Sequence, residues 1–123
     1  MLYVSDSGNN RIQVFDATTV LASRSIGNGK GTALGQLKGP FGVALQMPCR
    51  SGDNALLYVA DEYNHRIQVF DAVTGEALRE LPVGDKAHGG KAQPHGIIVH
   101  RQPDGSSLLF VSCSNHRVQV MAL

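Results

Sequence analysis

The stretch Leu57-Tyr58-Val59-Ala60-Asp61-Glu62-Tyr63-Asn64-His65-Arg66-Ile67-Gln68-Val69-Phe70-Asp71 decides how the rest of the chain is read. The same pattern stands as Leu2-Tyr3-Val4-Ser5-Asp6-Ser7-Gly8-Asn9-Asn10-Arg11-Ile12-Gln13-Val14-Phe15-Asp16. An altered third copy reads Leu109-Phe110-Val111-Ser112-Cys113-Ser114-Asn115-His116-Arg117-Val118-Gln119-Val120-Met121. Arg11, Arg66 and Arg117 mark the copies at intervals of roughly fifty residues, the signature of a repeat architecture. Within a copy, Leu2 and Val4 alternate with Tyr3 and Ser5, and Ile12 and Val14 alternate with Gln13 and Phe15. This period of two, rich in β-branched and aromatic residues, predicts strands. The link Asp6-Ser7-Gly8-Asn9-Asn10 holds residues that tolerate left-handed backbone or bond their own main chain. Each copy is therefore a β-hairpin.

Working outward, residues 19–26 and 76–81 follow the hairpins as looser strands, with polar residues suited to an outer edge. Residues 27–39, studded with glycine, and 82–93 read as loops. Pro40-Phe41-Gly42-Val43-Ala44-Leu45 reads as a short buried strand and is matched by Pro94-His95-Gly96-Ile97-Ile98-Val99. Turns are expected at 46–54, 71–75 and 100–106. The unit is four strands: a Pro-x-Gly strand, two hairpin strands and an outer strand. Tandem four-stranded antiparallel units make a β-propeller. No segment carries the sustained 3.6-residue period of a helical solenoid. The expected fold is all-β, a propeller segment of four-stranded antiparallel blades. A partial blade is expected at 1–27, a full one at 40–81 and another partial one at 94–123.

Tyr-Val-Ala-Asp-x-x-Asn-His-Arg-Ile-Gln-Val-Phe at 58–70, with the upstream Pro-x-Gly-Val strand, resembles the NHL repeat. The resemblance runs through nearly the whole chain. The third copy departs from it: the turn before Arg117 is one residue shorter, and Cys113 or Ser114 stands where Asp6 and Asp61 stand. Propellers of this family are closed rings of more blades. The resemblance thus implies a fragment of a larger propeller protein, with self-association through open blade edges as the alternative.

Composition narrows the function classes. Eleven Lys+Arg against ten Asp+Glu give a net charge of +1, which demands neither nucleic acid nor an anionic membrane. No apolar run is long enough for a membrane span, and no signal peptide opens the sequence, so a soluble protein is expected, with a cytoplasmic location favoured. Cys49 and Cys113 lack metal-ligand spacing and are read as two free, partly buried thiols.

Strand direction alternates, so the hairpin loops at 6–10, 61–65 and 113–116 share a face with the loops at 27–39 and 82–94. Binding usually lives in loops on a rigid scaffold, and this face has the longer ones. A packing device is needed in every blade, whereas a functional residue is needed once. Asp6, Arg11, Asp61, Asn64, Arg66, Asn115, His116 and Arg117 recur and are assigned to the motif's structure. Tyr63, His65, Lys86, Lys91 and His95 are the candidate binding residues. Gly27-Asn28-Gly29-Lys30-Gly31-Thr32 lacks the lysine spacing and following helix of a phosphate loop. The expected function is a non-enzymatic scaffold for a protein partner, with no cofactor and no catalytic residue. An RNA-binding NHL surface is the alternative: from Leu81 onward, Lys86, Lys91, Arg101 and Arg117 outnumber Asp85 and Asp104. A metal-dependent lyase or hydrolase is a further alternative. An amidating lyase with a similar propeller has metal-binding histidines resembling the Pro-His position, which only His95 matches here. A catalytic zinc site commonly needs three protein ligands.

Overall fold

The computed structural model describes residues 1–85 and 90–123. Strands β1 (Leu2–Asp6), β2 (Arg11–Phe15) and β3 (Ala22–Ile26) form one sheet. Strands β4 (Pro40–Gln46), β5 (Leu56–Asp61), β6 (Arg66–Asp71) and β7 (Ala77–Pro82) form a second. After a short pair, β8 (Gly84–Asp85) and β9 (Gly90–Lys91), a third sheet follows: β10 (Pro94–Arg101), β11 (Ser107–Cys113) and β12 (Arg117–Ala122). Every strand pair is antiparallel, and sheet order follows chain order. The fold is all-β and built of propeller-type blades. Among the described residues no helix is long and apolar enough to cross a membrane.

The alternation read from the sequence sorts the core. On β5 and β6, Leu57, Val59 and Phe70 face blade 1, where they pack with Ile12, Val14, Ile26 and Leu37. Tyr58, Ala60, Ile67 and Val69 point the other way, onto Ile97, Leu109 and Val111 of blade 3. The central blade is thus covered on both sides, as its near-continuous apolar strands require. Each of the Val, Leu, Ile and Phe side chains among them contributes about 1.5–3 kcal/mol by leaving water. A polar relay ties blades 2 and 3 as well: Tyr58 donates to Gln46 (2.8 Å), and Gln46 donates to Ser107 (2.8 Å).

Four details differ from expectation. Strand β3 starts at Ala22 rather than 19, because the Asp16 carboxylate accepts the Thr18 and Thr19 N–H groups and holds the chain in a turn. The 82–93 segment is not all loop: Gly84 pairs with Lys91 and Asp85 with Gly90. Gly84 and Gly90 in that pair carry positive φ, which has no period-two signature. The inner strand β4 is not buried, for Phe41 is 57% and Leu45 41% exposed; β4 lies at the edge of its sheet. Cys49 is exposed rather than partly buried.

Candidate functional site

The hairpin turn builds the site. After β5 the chain makes one 3-10 turn, Glu62–Asn64, and then a left-handed residue, His65 (φ 54°). Blade 1 repeats this with Ser7–Asn9 and Asn10 (φ 54°), and blade 3 places His116 at φ 61°. The position before the motif arginine is therefore the left-handed residue of a tight reversal, a conformation in which Asn, Asp and His are enriched. Asn64 donates to Asp61 (2.9 Å), closing the turn, as Asn9 does to Asp6 (3.1 and 3.0 Å).

Arg66 anchors the turn to strand β7 and to the 27–39 loop. Its five N–H donors reach five acceptors: Asp61 (2.8 Å), Glu80 (2.5 Å) and the carbonyls of Thr32 (2.9 Å), Ala33 (3.0 Å) and Gln36 (2.8 Å). Asp61 also accepts from Gln68 and from the Lys38 N–H. The 27–39 loop is thus clamped over blade 2, and its glycines serve the clamp: the Gly35 N–H donates to Gln68 Oε1 (2.9 Å). Blade 3 reproduces that last bond, with Gly84 donating to Gln119 Oε1 at 2.9 Å. This role of the motif glutamine was missed in the sequence, although Gln13, Gln68 and Gln119 recur as regularly as the arginines.

The copies then diverge. Arg11 bonds Asp6 (2.8 Å) in the open, where the arginine holds the Asp6 carboxyl below its ordinary pKa, with Asn9 assisting. In blade 3 the register sets Cys113, not Ser114, opposite Arg117, so the carboxylate of the motif is replaced by a thiol whose pKa burial pushes up. Asn115 keeps a buried Oδ1 with no hydrogen-bond partner among the described residues.

The non-repeated candidates gather around this turn, apart from Lys86 and the neighbouring His88, which lie outside the described residues. Tyr63 is 53% exposed and stands where blade 1 has Gly8. The Cδ2–Cε2 edge of its ring lies so close to Gly39 that a Cβ there would fall 2.5 Å from Tyr63 Cδ2. Two grooves flank it. One, of about 480 Å³, has Lys38, His65, Glu80 and Lys91 in its walls; the other, of about 350 Å³, has Ser7, Asn10, Lys30 and Lys38. Lys30, Lys38 and Lys91 form no ion pair with a described residue. His65 is turned inward instead: its Nδ1 lies 3.1 Å from the Ala92 carbonyl, so that nitrogen carries the proton and ties the turn to the next blade junction.

His95 meets Phe41, its counterpart on the preceding blade, at 5.3 Å between ring centroids, and its Nε2 lies 3.3 Å from Glu62 Oε1. The inner strands are that close because Gly42 allows it; a Cβ there would fall 2.3 Å from the His95 carbonyl oxygen. Among the described residues no three His, Cys, Asp or Glu side chains gather as a metal-ligand set. The opposite face holds a cleft that sequence reading passed over, about 340 Å³ between the 46–54 turn and Arg101, with Met47, Cys49 and Arg50 in its wall. Arg101 donates to the Met47 carbonyl there (2.7 Å).

Stacked antiparallel sheets of three, four and three strands, tied through their hairpin turns, define a β-propeller class of protein. Within that class, residues 50–70 match the family model for the NHL repeat. The chain carries an NHL repeat in its central blade, consistent with part of an NHL-repeat β-propeller. No curated protein matches the chain.

Proposed function

We propose that the chain is a non-enzymatic binding scaffold whose hairpin face receives a protein partner, and that Tyr63 is the centre of the contact. The observation that carries this reading is the half-exposed Tyr63 ring, seated on Gly39 between two grooves walled by Lys30, Lys38 and Lys91. A rigid aromatic that loses little freedom on binding, ringed by cations, suits a segment with an apolar side chain among acidic residues. Tyr63 belongs to a turn held by Arg66 and Asp61, so it is presented without a cost for ordering the loop.

Selection of displayed acidic peptides on the immobilised chain tests this. The selected peptides should lose at least ~10-fold in affinity against Tyr63→Ala and against the Lys38→Glu/Lys91→Glu pair. They should bind Arg50→Glu, on the opposite face, like the unaltered chain. Equal binding to all variants, or loss only with Arg50→Glu, would discard the face assignment. Tight binding of a single-stranded RNA with a steep salt dependence, and none of acidic peptides, would replace the protein partner by RNA.

A further inference from the structure

The two outer blade faces of the chain carry, at the same places in the repeat, residues identical or similar to those buried at its interior joints. On blade 1, Leu2, Val4, Asp6, Arg11, Gln13 and Phe15 share one face. Their blade 2 counterparts are Leu57, Val59, Asp61, Arg66, Gln68 and Phe70, identical at every position. In blade 2 that face is covered, with Leu57 and Val59 at 0% exposure. In blade 1 it is open: Leu2 is 52% and Val4 46% exposed, and Val4 lines a shallow cleft with Arg11, Gln13 and Phe15.

Blade 3 carries the other half of the joint. Its outer face presents Ile98, Phe110, Val118 and Val120. These stand where blade 2 has Ala44, Tyr58, Ile67 and Val69, the residues that cover Leu109 and Val111 inside the molecule. Ile98 is 66%, Val118 65% and Val120 52% exposed. Leu109 and Val111 in turn hold the places of Leu2 and Val4. The interior joint between blades 2 and 3 therefore exists a second time on this chain, with its halves at opposite ends of the stack.

We infer that the outer face of blade 3 in one copy docks on the outer face of blade 1 in the next, making a head-to-tail assembly of the chain. A second copy is the occupant because both halves of the joint are present on one chain and each repeats one side of a contact already made. The contact is heterologous, so repeating it closes a ring or extends a filament rather than stopping at a two-fold dimer. It is separate from the hairpin face proposed above for a partner, since it uses the flat sides of the blades.

Val4→Glu and Val118→Glu test this with light scattering and sedimentation of the purified chain at rising concentration. Both sites are solvent-exposed within one copy, and matching circular dichroism and melting curves confirm that each variant folds; Leu2→Lys and Val120→Lys are the second pair. The unaltered chain should self-associate, and each variant alone should weaken that association by at least ~100-fold, because the charge would be buried unpaired. Mixing Val4→Glu with Val118→Glu should restore a one-to-one pair, since one keeps an intact blade 3 face and the other an intact blade 1 face. A monomeric unaltered chain would overturn the inference, whether those faces are met by other blades or by nothing. So would a Val118→Glu protein that still associates by itself, which marks a symmetric or edge-to-edge contact, or a mixture that stays monomeric.

Discussion

Arg66 and Arg11 hold the same place in the motif, yet one is 6% exposed with five acceptors and the other makes an open pair with Asp6. Removing Arg66 leaves Asp61, at 0% exposure, without its charge partner and the Thr32 carbonyl without a donor, while the Ala33 and Gln36 carbonyls keep the Gln36 N–H and the Gln68 amide. Arg66→Ala should cost about 3–5 kcal/mol, whereas Arg11→Ala should cost no more than ~1 kcal/mol; urea unfolding of the two variants checks this contrast. A second residue-scale expectation concerns Val20, a β-branched residue at φ 60° where blade 2 has Gly75 at φ 78°. Both donate their N–H back to the turn aspartate, Val20 to Asp16 and Gly75 to Asp71. Strain at such a position is about 1–3 kcal/mol, and a glycine gives back up to ~1 kcal/mol in chain entropy. Val20→Gly should therefore raise stability by about 1 kcal/mol, read as a higher melting temperature.

At the scale of elements, the joint between inner strands β4 and β10 depends on a missing side chain. Gly42→Ala would drive a Cβ against the His95 backbone, which flexible side-chain movement cannot relieve. The expected result is a loss of about 1–3 kcal/mol, of the size seen for overpacking, together with loss of the Phe41–His95 contact visible in the His95 ring resonances. The turn pair shows how far repetition can be read. Asp16 accepts the Thr18 and Thr19 N–H groups, and Asp71 those of Val73 and Thr74, each at 2.8–2.9 Å. The four-stranded unit of the central blade, the hairpins and these turns were legible because short-range chemistry sets them. The β8–β9 pair was not, since two of its glycines carry positive φ and no side-chain pattern announces it.

Taken as a whole molecule, the chain should lose stability in acid in a defined way. The Asp16 and Asp71 carboxyls lie below their ordinary pKa, chiefly through the Thr19 and Thr74 backbone N–H groups. A pKa lower in the folded than in the unfolded chain means stability that is present above the unfolded value, about pH 4, and lost as pH falls through the folded one. Asp16→Asn and Asp71→Asn should therefore melt earlier at neutral pH, with the gap from the unaltered chain narrowing below about pH 4. The two thiols differ in the same global sense. Cys113 is half-buried with a raised pKa while Cys49 is exposed, so iodoacetamide should label Cys49 first, as read by peptide mass spectrometry.

The amino-acid sequence alone determined the all-β class, the four-strand unit and the hairpin motif, because strand period and turn residues act over a few neighbours. It also separated repeated from single residues, which put Tyr63 and His95 forward and set Arg66 back. Tertiary structure decided the rest. Identical residues end buried in blade 2 and bare in blade 1, because burial depends on what lies across the sheet and not on the strand itself. His65 is turned into a blade junction while Tyr63 is left outside, and Gln68 becomes an anchor to the neighbouring loop; each outcome rests on a contact more than twenty-five residues away in the chain or on its lack. The Arg66 clamp has the same origin: its motif names one acceptor, Asp61, and the other four come from strand β7 and a glycine loop that only folding brings within reach.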